Sequence, residues 1–177
     1  VTEATNYNIG SEDRLYLNFS LGMPFAKWWE GYFNLSPFYK EFKGEVPQGK
    51  LDNSAWGMGW YSSQAFSLPK KWKVQVSSWG NIATRDAMSR SSWLGSVDAG
   101  VSKPVFKEKL NIRVSVTDIF NTQRWRQEAA FGNVNYNYNR KWESRNIRLQ
   151  LTWKFGKTNY KARNRELGAQ DEINRIK

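Results

Sequence analysis

Strict alternation of apolar and polar side chains constrains this chain more than any other feature. Leu110, Ile112, Val114 and Val116 are separated by Asn111, Arg113, Ser115 and Thr117, and Ile147, Leu149, Leu151, Trp153 and Phe155 by Arg148, Gln150, Thr152 and Lys154. A period of two sends successive side chains to opposite faces of a β-strand, so each run predicts a strand with one oily and one wet face. Leu15, Leu17, Phe19, Leu21 and Met23 begin the same pattern near the start. Four weaker runs lie between. They are carried by Phe33, Leu35, Pro37 and Tyr39, by Trp56, Met58, Trp60, Phe66 and Leu68, by Trp72, Val74 and Val76, and by Trp93, Val97, Ala99 and Val101. No helical period competes before residue 157, and the fold class is all-β with about seven strands.

The connections alternate in length. Residues 24–30, 69–71 and 104–109 are short, open with Pro and carry Lys, whereas residues 44–53, 81–92 and 121–141 are long and rich in Asn, Ser, Gly, Arg and Tyr. The long ones have the composition of exposed loops. Short turns at one end and long loops at the other describe an antiparallel up-and-down sheet. A soluble barrel would turn the apolar face inward and a membrane barrel would turn it outward. Three features favour the membrane. The runs extend over roughly 10 to 14 residues, enough for a tilted strand to cross a bilayer. Aromatics gather at both strand ends, with Trp28, Trp29, Trp72, Trp153 and Phe155 near the short turns and Tyr39, Trp56, Trp93 and Trp142 near the long loops. Mid-strand charge, such as Arg113 and Arg148, falls on the polar face.

Composition removes several function classes. With neither Cys nor His among 177 residues, there is no thiol or imidazole nucleophile and no zinc site of the usual N/S type, and no cofactor is expected. No apolar run approaches the length of a membrane-crossing helix, and mean hydropathy is −0.74. The net charge of +11 and the 10 Trp could serve nucleic acid. Lys and Arg are spread over turns, loops and tail instead of forming one stripe, so no nucleic-acid partner is expected. Asp98 and Asp118 could form a catalytic pair or an ion site, but a salt bridge to a lumenal Arg accounts for them more simply. No enzymatic constellation stands out, and none is expected.

The stretch SVDAGVSKPVFKEKLNIRVSVTDIFNTQRWR (96–126), with its D-I-F-N-T turn at Asp118 to Thr122, and ESRNIRLQLTWKFGK (143–157), ending in an aromatic before Gly-Lys, resemble the C-terminal end of Bacteroidetes-type outer-membrane β-barrel proteins related to TonB-dependent receptors. LGMPFAKWWEGYFNLSPFYKEFKG and LDNSAWGMGWYSSQAFSLPKKWKVQVSSWG resemble the family's earlier strand pairs. The resemblance implies a transmembrane barrel segment, residues 1–156, that is part of a larger barrel in the cell outer membrane of a Gram-negative bacterium, followed by a periplasmic tail, residues 157–177. It also implies short turns in the periplasm and long loops outside. Nothing here resembles a plug or an energy-coupling box, so the chain is expected to be one piece of a longer barrel. The function implied is uptake of a nutrient or metal complex; the alternative is a structural or accessory barrel subunit without transport.

Site expectations follow. Leu15, Leu17, Phe19, Leu110, Ile112, Val114, Leu149, Leu151 and Trp153 are expected to face outer-membrane lipid. Seven strands cannot close a bacterial barrel, which uses an even number from eight upward. The outer two should therefore pair with remaining strands of the same barrel, in another chain or an upstream segment, and periplasmic or outer-membrane protein partners are possible. Residues 121–141 interleave Arg124, Trp125, Arg126, Phe131, Tyr136 and Tyr138, residue types that bury large area while keeping polar handles. They are the candidate ligand or partner loop; the alternative is that the loop merely extends a hairpin above the membrane, its Tyr and Trp packing on neighbouring loops.

Overall fold

The computed structural model describes residues 10–46, 49–131 and 134–155. Its strands are β1 (Gly10–Tyr16), β2 (Phe19–Ala26), β3 (Trp29–Val46), β4 (Gly49–Lys50), β5 (Asn53–Leu68), β6 (Trp72–Asn81), β7 (Thr84–Arg85), β8 (Ser89–Ser91), β9 (Leu94–Val105), β10 (Leu110–Thr117), β11 (Arg124–Phe131), β12 (Val134–Lys141) and β13 (Asn146–Trp153). The expected tail, residues 157–177, lies outside the described residues.

Seven antiparallel lanes form the main sheet, in the order β1 with β2, then β3, β5, β6, β9, β10 and β13. This is the predicted meander. The first lane is split because Leu17 lies opposite Pro37: the Leu17 N–H donates to the Pro37 carbonyl at 3.0 Å, but proline has no N–H to return the bond. The outer lanes, β1 with β2 and β13, do not pair with each other among the described residues, so the sheet is open.

Register shows how the alternation is used. Leu110 lies opposite Trp153, Ile112 opposite Leu151 and Val114 opposite Leu149, while Leu15 lies opposite Tyr39 and Phe19 opposite Leu35. Directly opposed residues share a face, so one apolar face runs from Leu15, Leu17 and Phe19 across the sheet to Leu149, Leu151 and Trp153. Among the described residues nothing covers that face. Leu15 is 60% and Leu149 63% exposed, and the buried apolar side chains, Leu51 and Ala129, belong to the long-loop end. The opposite face is polar and internally bonded. Asn34 Nδ2 donates to Asn18 Oδ1 at 3.0 Å and to Ser20 Oγ at 2.8 Å, and Arg113 Nη2 donates to Gln75 Oε1 at 3.1 Å.

Aromatic rings mark both margins of the apolar face. At the short-turn end Trp28, Trp29 and Phe66 stack with centroids about 6 Å apart, and at the long-loop end Tyr39 meets Trp56 at 4.9 Å. The short turns are tighter than expected: Lys27 and Trp28 alone join β2 to β3, and residues 106–109 join β9 to β10. Two strands exceed the expected length, β3 with 18 residues and β5 with 16. Their surplus carries polar groups such as Lys40, Glu41 and Asn53 beyond the Tyr39–Trp56 margin.

Rings also cover glycines on facing strands. Phe38 lies over Gly57 and Trp60 over Gly80, each a directly opposed pair, an arrangement that lets an aromatic shield backbone that would otherwise be bare. A Cβ at Gly57 would fall inside the Phe38 ring. Gly57→Ala is expected to cost about 1–3 kcal/mol, read as a lowered urea midpoint. Adding Phe38→Ala should cost less than the sum of the single changes, because the clash is then gone.

Candidate functional site

The long loops carry strands of their own, and for residues 121–141 the pairing is that of the alternative reading, an extended hairpin. Residues 121–141 form a hairpin, β11 and β12, paired from Arg124 opposite Lys141 to Phe131 opposite Val134. Residues 81–92 supply β7 and β8, and β8 pairs with β11 to complete a second, four-stranded sheet in the order β12, β11, β8, β7. Residues 44–53 extend β3 through a short pairing with β4. The hairpin was legible in principle. Val134, Tyr136, Tyr138 and Arg140 alternate with Asn135, Asn137 and Asn139, a period of two whose polar members hid the strand.

Alternation also separates the six residues expected to act together. Trp125, Tyr136 and Tyr138 fall on one face of the second sheet, because Tyr138 lies opposite Gln127 and Tyr136 opposite Ala129, in phase with Trp125. Arg124 and Arg126 fall on the other face, where they line a cleft of about 160 Å³ with Ser92, Trp93, Asn121 and Thr122. Phe131 ends β11. A larger cleft, about 720 Å³, opens where the β7–β8 and β11–β12 hairpins meet, and among its lining residues are Asn53, Arg85, Arg90, Glu128, Tyr136 and Asn137. Arg85, Arg90, Glu128 and Asn137 are successive register partners across the four strands, so they form one row. Arg85 and Arg90 do not stand out in the sequence, since their juxtaposition depends on β8 pairing with both β7 and β11.

Polar contacts fasten this sheet to the main one. Lys40 is buried on the polar face of β3 and forms an ion pair with Asp86 at the β7–β8 turn. Asn53 Nδ2 donates to the Asp86 carbonyl at 3.0 Å and to the Ala87 carbonyl at 2.7 Å. Gln127 Nε2 donates to Ser89 Oγ at 2.8 Å, tying the two hairpins together.

Asp118, fully buried in the turn after β10, organises the base. Its carboxylate accepts from the Thr122 N–H at 2.8 Å, the Gln123 N–H at 3.1 Å and the Ser144 hydroxyl, while its own N–H donates to Asp98 Oδ1 at 2.8 Å. Its backbone is left-handed, with φ at 46°, a region that Asp tolerates better than most residues. The expected salt bridge to a lumenal Arg is therefore corrected for both acids. Among the described residues Asp118 binds backbone and hydroxyl donors and Asp98 accepts from Ser96 Oγ and the Asp118 N–H, because Asp118 sits in a turn whose donors need acceptors and Asp98, within β9, lies beside the start of that turn. Burial pushes the Asp118 carboxyl upward, but the bonds from Ser144, Thr122 and Gln123 outweigh it and hold the group below its ordinary value. Among the described residues no group of three or more acidic side chains is placed to hold a metal ion.

A family model described as "Outer membrane protein beta-barrel family" matches residues 1–153. No curated protein and no solved structure matches the chain.

Proposed function

Because the chain belongs to the outer membrane protein beta-barrel family and resides in the outer membrane, we propose that it is the part of a receptor-transporter, related to TonB-dependent receptors, that helps take a nutrient or metal complex across that membrane. The observation that carries this reading is the second sheet: two loops far apart in sequence join into one wall around a cleft of about 720 Å³. A barrel that only sealed or braced the membrane would have no need to organise its long loops around a concave surface. Arg85, Arg90 and Asn137, in one row on one face of that sheet, offer donors to an incoming solute, the few placed polar groups that binding sites use. The reading assigns this end binding and passage, with no catalysis.

The apolar face then meets lipid through the nine residues from Leu15 to Trp153 named above, and the polar face lines the lumen. From Trp29 to Tyr39 the apolar face of β3 spans ten residue steps, about 33 Å along the strand and about 25 Å once tilted, close to the apolar band of such barrels. The unpaired edges of β1 with β2 and of β13 join the remaining strands of the barrel, since open edges in hydrocarbon leave backbone groups unsatisfied at several kcal/mol each.

Uptake measurements test the assignment. In cells whose only copy of the full-length protein carries Arg85→Ala with Arg90→Ala, import of the nutrient that supports wild-type growth should fall about tenfold or more, with the barrel still folded and heat-modifiable. Unchanged import would overturn the cleft as the binding surface.

A further inference from the structure

The end of the sheet opposite the cleft has a charge pattern that transport does not use. Lys27 lies in the first short turn, Lys70 and Lys71 in the second, Lys107 and Lys109 in the third, and Lys154 just beyond β13. Among the described residues of these turns there is no arginine, and the carboxylates beside them are Glu30 and Glu108. Glu108 is already engaged by Lys71, whose ammonium holds its carboxyl below the ordinary range. At the long-loop end, by contrast, cations and acids are interspersed, and Arg14 pairs with Glu12, Lys40 with Asp86 and Lys43 with Glu41.

Turn geometry does not account for the lysines. Lys70, Lys71 and Lys107 have φ of 58°, 63° and 53°, a left-handed backbone that favours Gly or Asn over a long side chain. Phe106 and Glu108 share that backbone, with φ of 50° and 69°, so the turn geometry by itself does not select lysine. Indole rings lie at the same level: Trp28 and Trp72 are exposed beside the turns, and the Lys103 Nζ on the apolar face lies 4.7 Å from the Trp72 ring centre. An ammonium on an apolar stem, held at the height of a Trp belt, is how lysine sits at the boundary between hydrocarbon and headgroups.

We propose that this rim is a docking surface for anionic phospholipid, its lysines binding the headgroup phosphates of the leaflet on the short-turn side. Trp28, Trp72 and Trp153 set the depth, and the exposed ammonium groups of Lys27, Lys70, Lys107 and Lys109 neutralise the phosphates above them. The surface fixes how far the barrel sinks into the bilayer and selects the lipids around its base.

Reconstitution of the full-length protein into vesicles of equal phosphatidylcholine and phosphatidylglycerol tests this, with the lipids retained through detergent extraction counted by mass spectrometry. The wild type should retain phosphatidylglycerol in preference. The variant Lys27→Gln, Lys70→Gln, Lys107→Gln, Lys109→Gln should lose that preference by roughly fivefold or more, while a control with Lys43→Gln, Lys50→Gln, Lys141→Gln and Arg145→Gln keeps it. If the rim variant does not fold, as judged by heat-shifted mobility, the wild type decides: its preference should collapse between about 0.05 and 0.5 M salt. Equal retention of both lipids, an equal loss in the control, or a preference indifferent to salt would overturn the proposal.

Discussion

Asp118→Ala is expected to destabilise the intact barrel by about 3 kcal/mol or more, read as a lower urea midpoint for the loss of tryptophan fluorescence in lipid vesicles. The carboxylate accepts from the Thr122 and Gln123 backbone and from Ser144, and bonds to a charged acceptor contribute about 1.5–3 kcal/mol each, with a further cost for donors left unpaired. Ala also fits the left-handed φ of 46° poorly. Asp118→Asn keeps one oxygen acceptor and the backbone tolerance, so it should recover part of the loss. The same carboxyl sets a pH dependence. Its folded value lies below the ordinary 3.8, so the unfolded chain takes up the proton more readily. Its stabilising contribution is therefore complete above about pH 5 and is lost as pH falls through the folded value. In Asp118→Ala that part of the acid sensitivity should vanish. An alanine variant as stable as the wild type would show that the turn does not depend on the carboxylate.

A charge on the apolar face at mid-depth should have a comparable effect. Val114 lies between Val101 and Leu149, and Val114→Arg is expected to cost about 2–4 kcal/mol, the range for Arg at the bilayer midplane. Ile112 is a weaker test of the same idea, since it lies opposite Lys103 at the basic rim, where an added Arg can reach the headgroups. Ile112→Arg should cost about 1 kcal/mol or less. On the polar face Ser115→Glu should be tolerated, because water meets it there and Arg148 lies opposite. A Val114→Arg barrel that assembles and unfolds like the wild type, beside a Ser115→Glu barrel that does not, would reverse the two faces.

The fold was legible wherever one face is uniformly apolar. In β10 and β13 the alternation read from sequence is the alternation in the sheet, and the cross-strand partners join Leu, Ile, Val and Trp to one another. It was less legible where both faces are polar. In β12 Tyr alternates with Asn, and in β8 three residues, Ser89 to Ser91, carry no apolar phase at all. Such strands are identified by their partners, and β8 pairs with β11 across a separation of 38 residues between Ser89 and Gln127 in one bonded pair. The same limit hid the Lys40–Asp86 pair. A lysine in an exposed-looking segment shows nothing of its burial until the β7–β8 turn folds back onto it. The D-I-F-N-T turn stands out as a motif, but its chemistry depends on Ser144 and Asp98, both more than 15 residues away.

The reading of the molecule depends above all on which medium each face of the sheet meets. The 177 residues contain no cysteine, so single cysteines carrying a nitroxide can be placed one at a time along residues 110–117 of β10 in the membrane-inserted protein. Collision rates with oxygen, which concentrates in hydrocarbon, should peak at Leu110, Ile112, Val114 and Val116. Rates with a water-soluble nickel complex should peak at Asn111, Arg113, Ser115 and Thr117. Profiles in the opposite phase, or with no period of two, would contradict a barrel whose apolar face is turned to lipid.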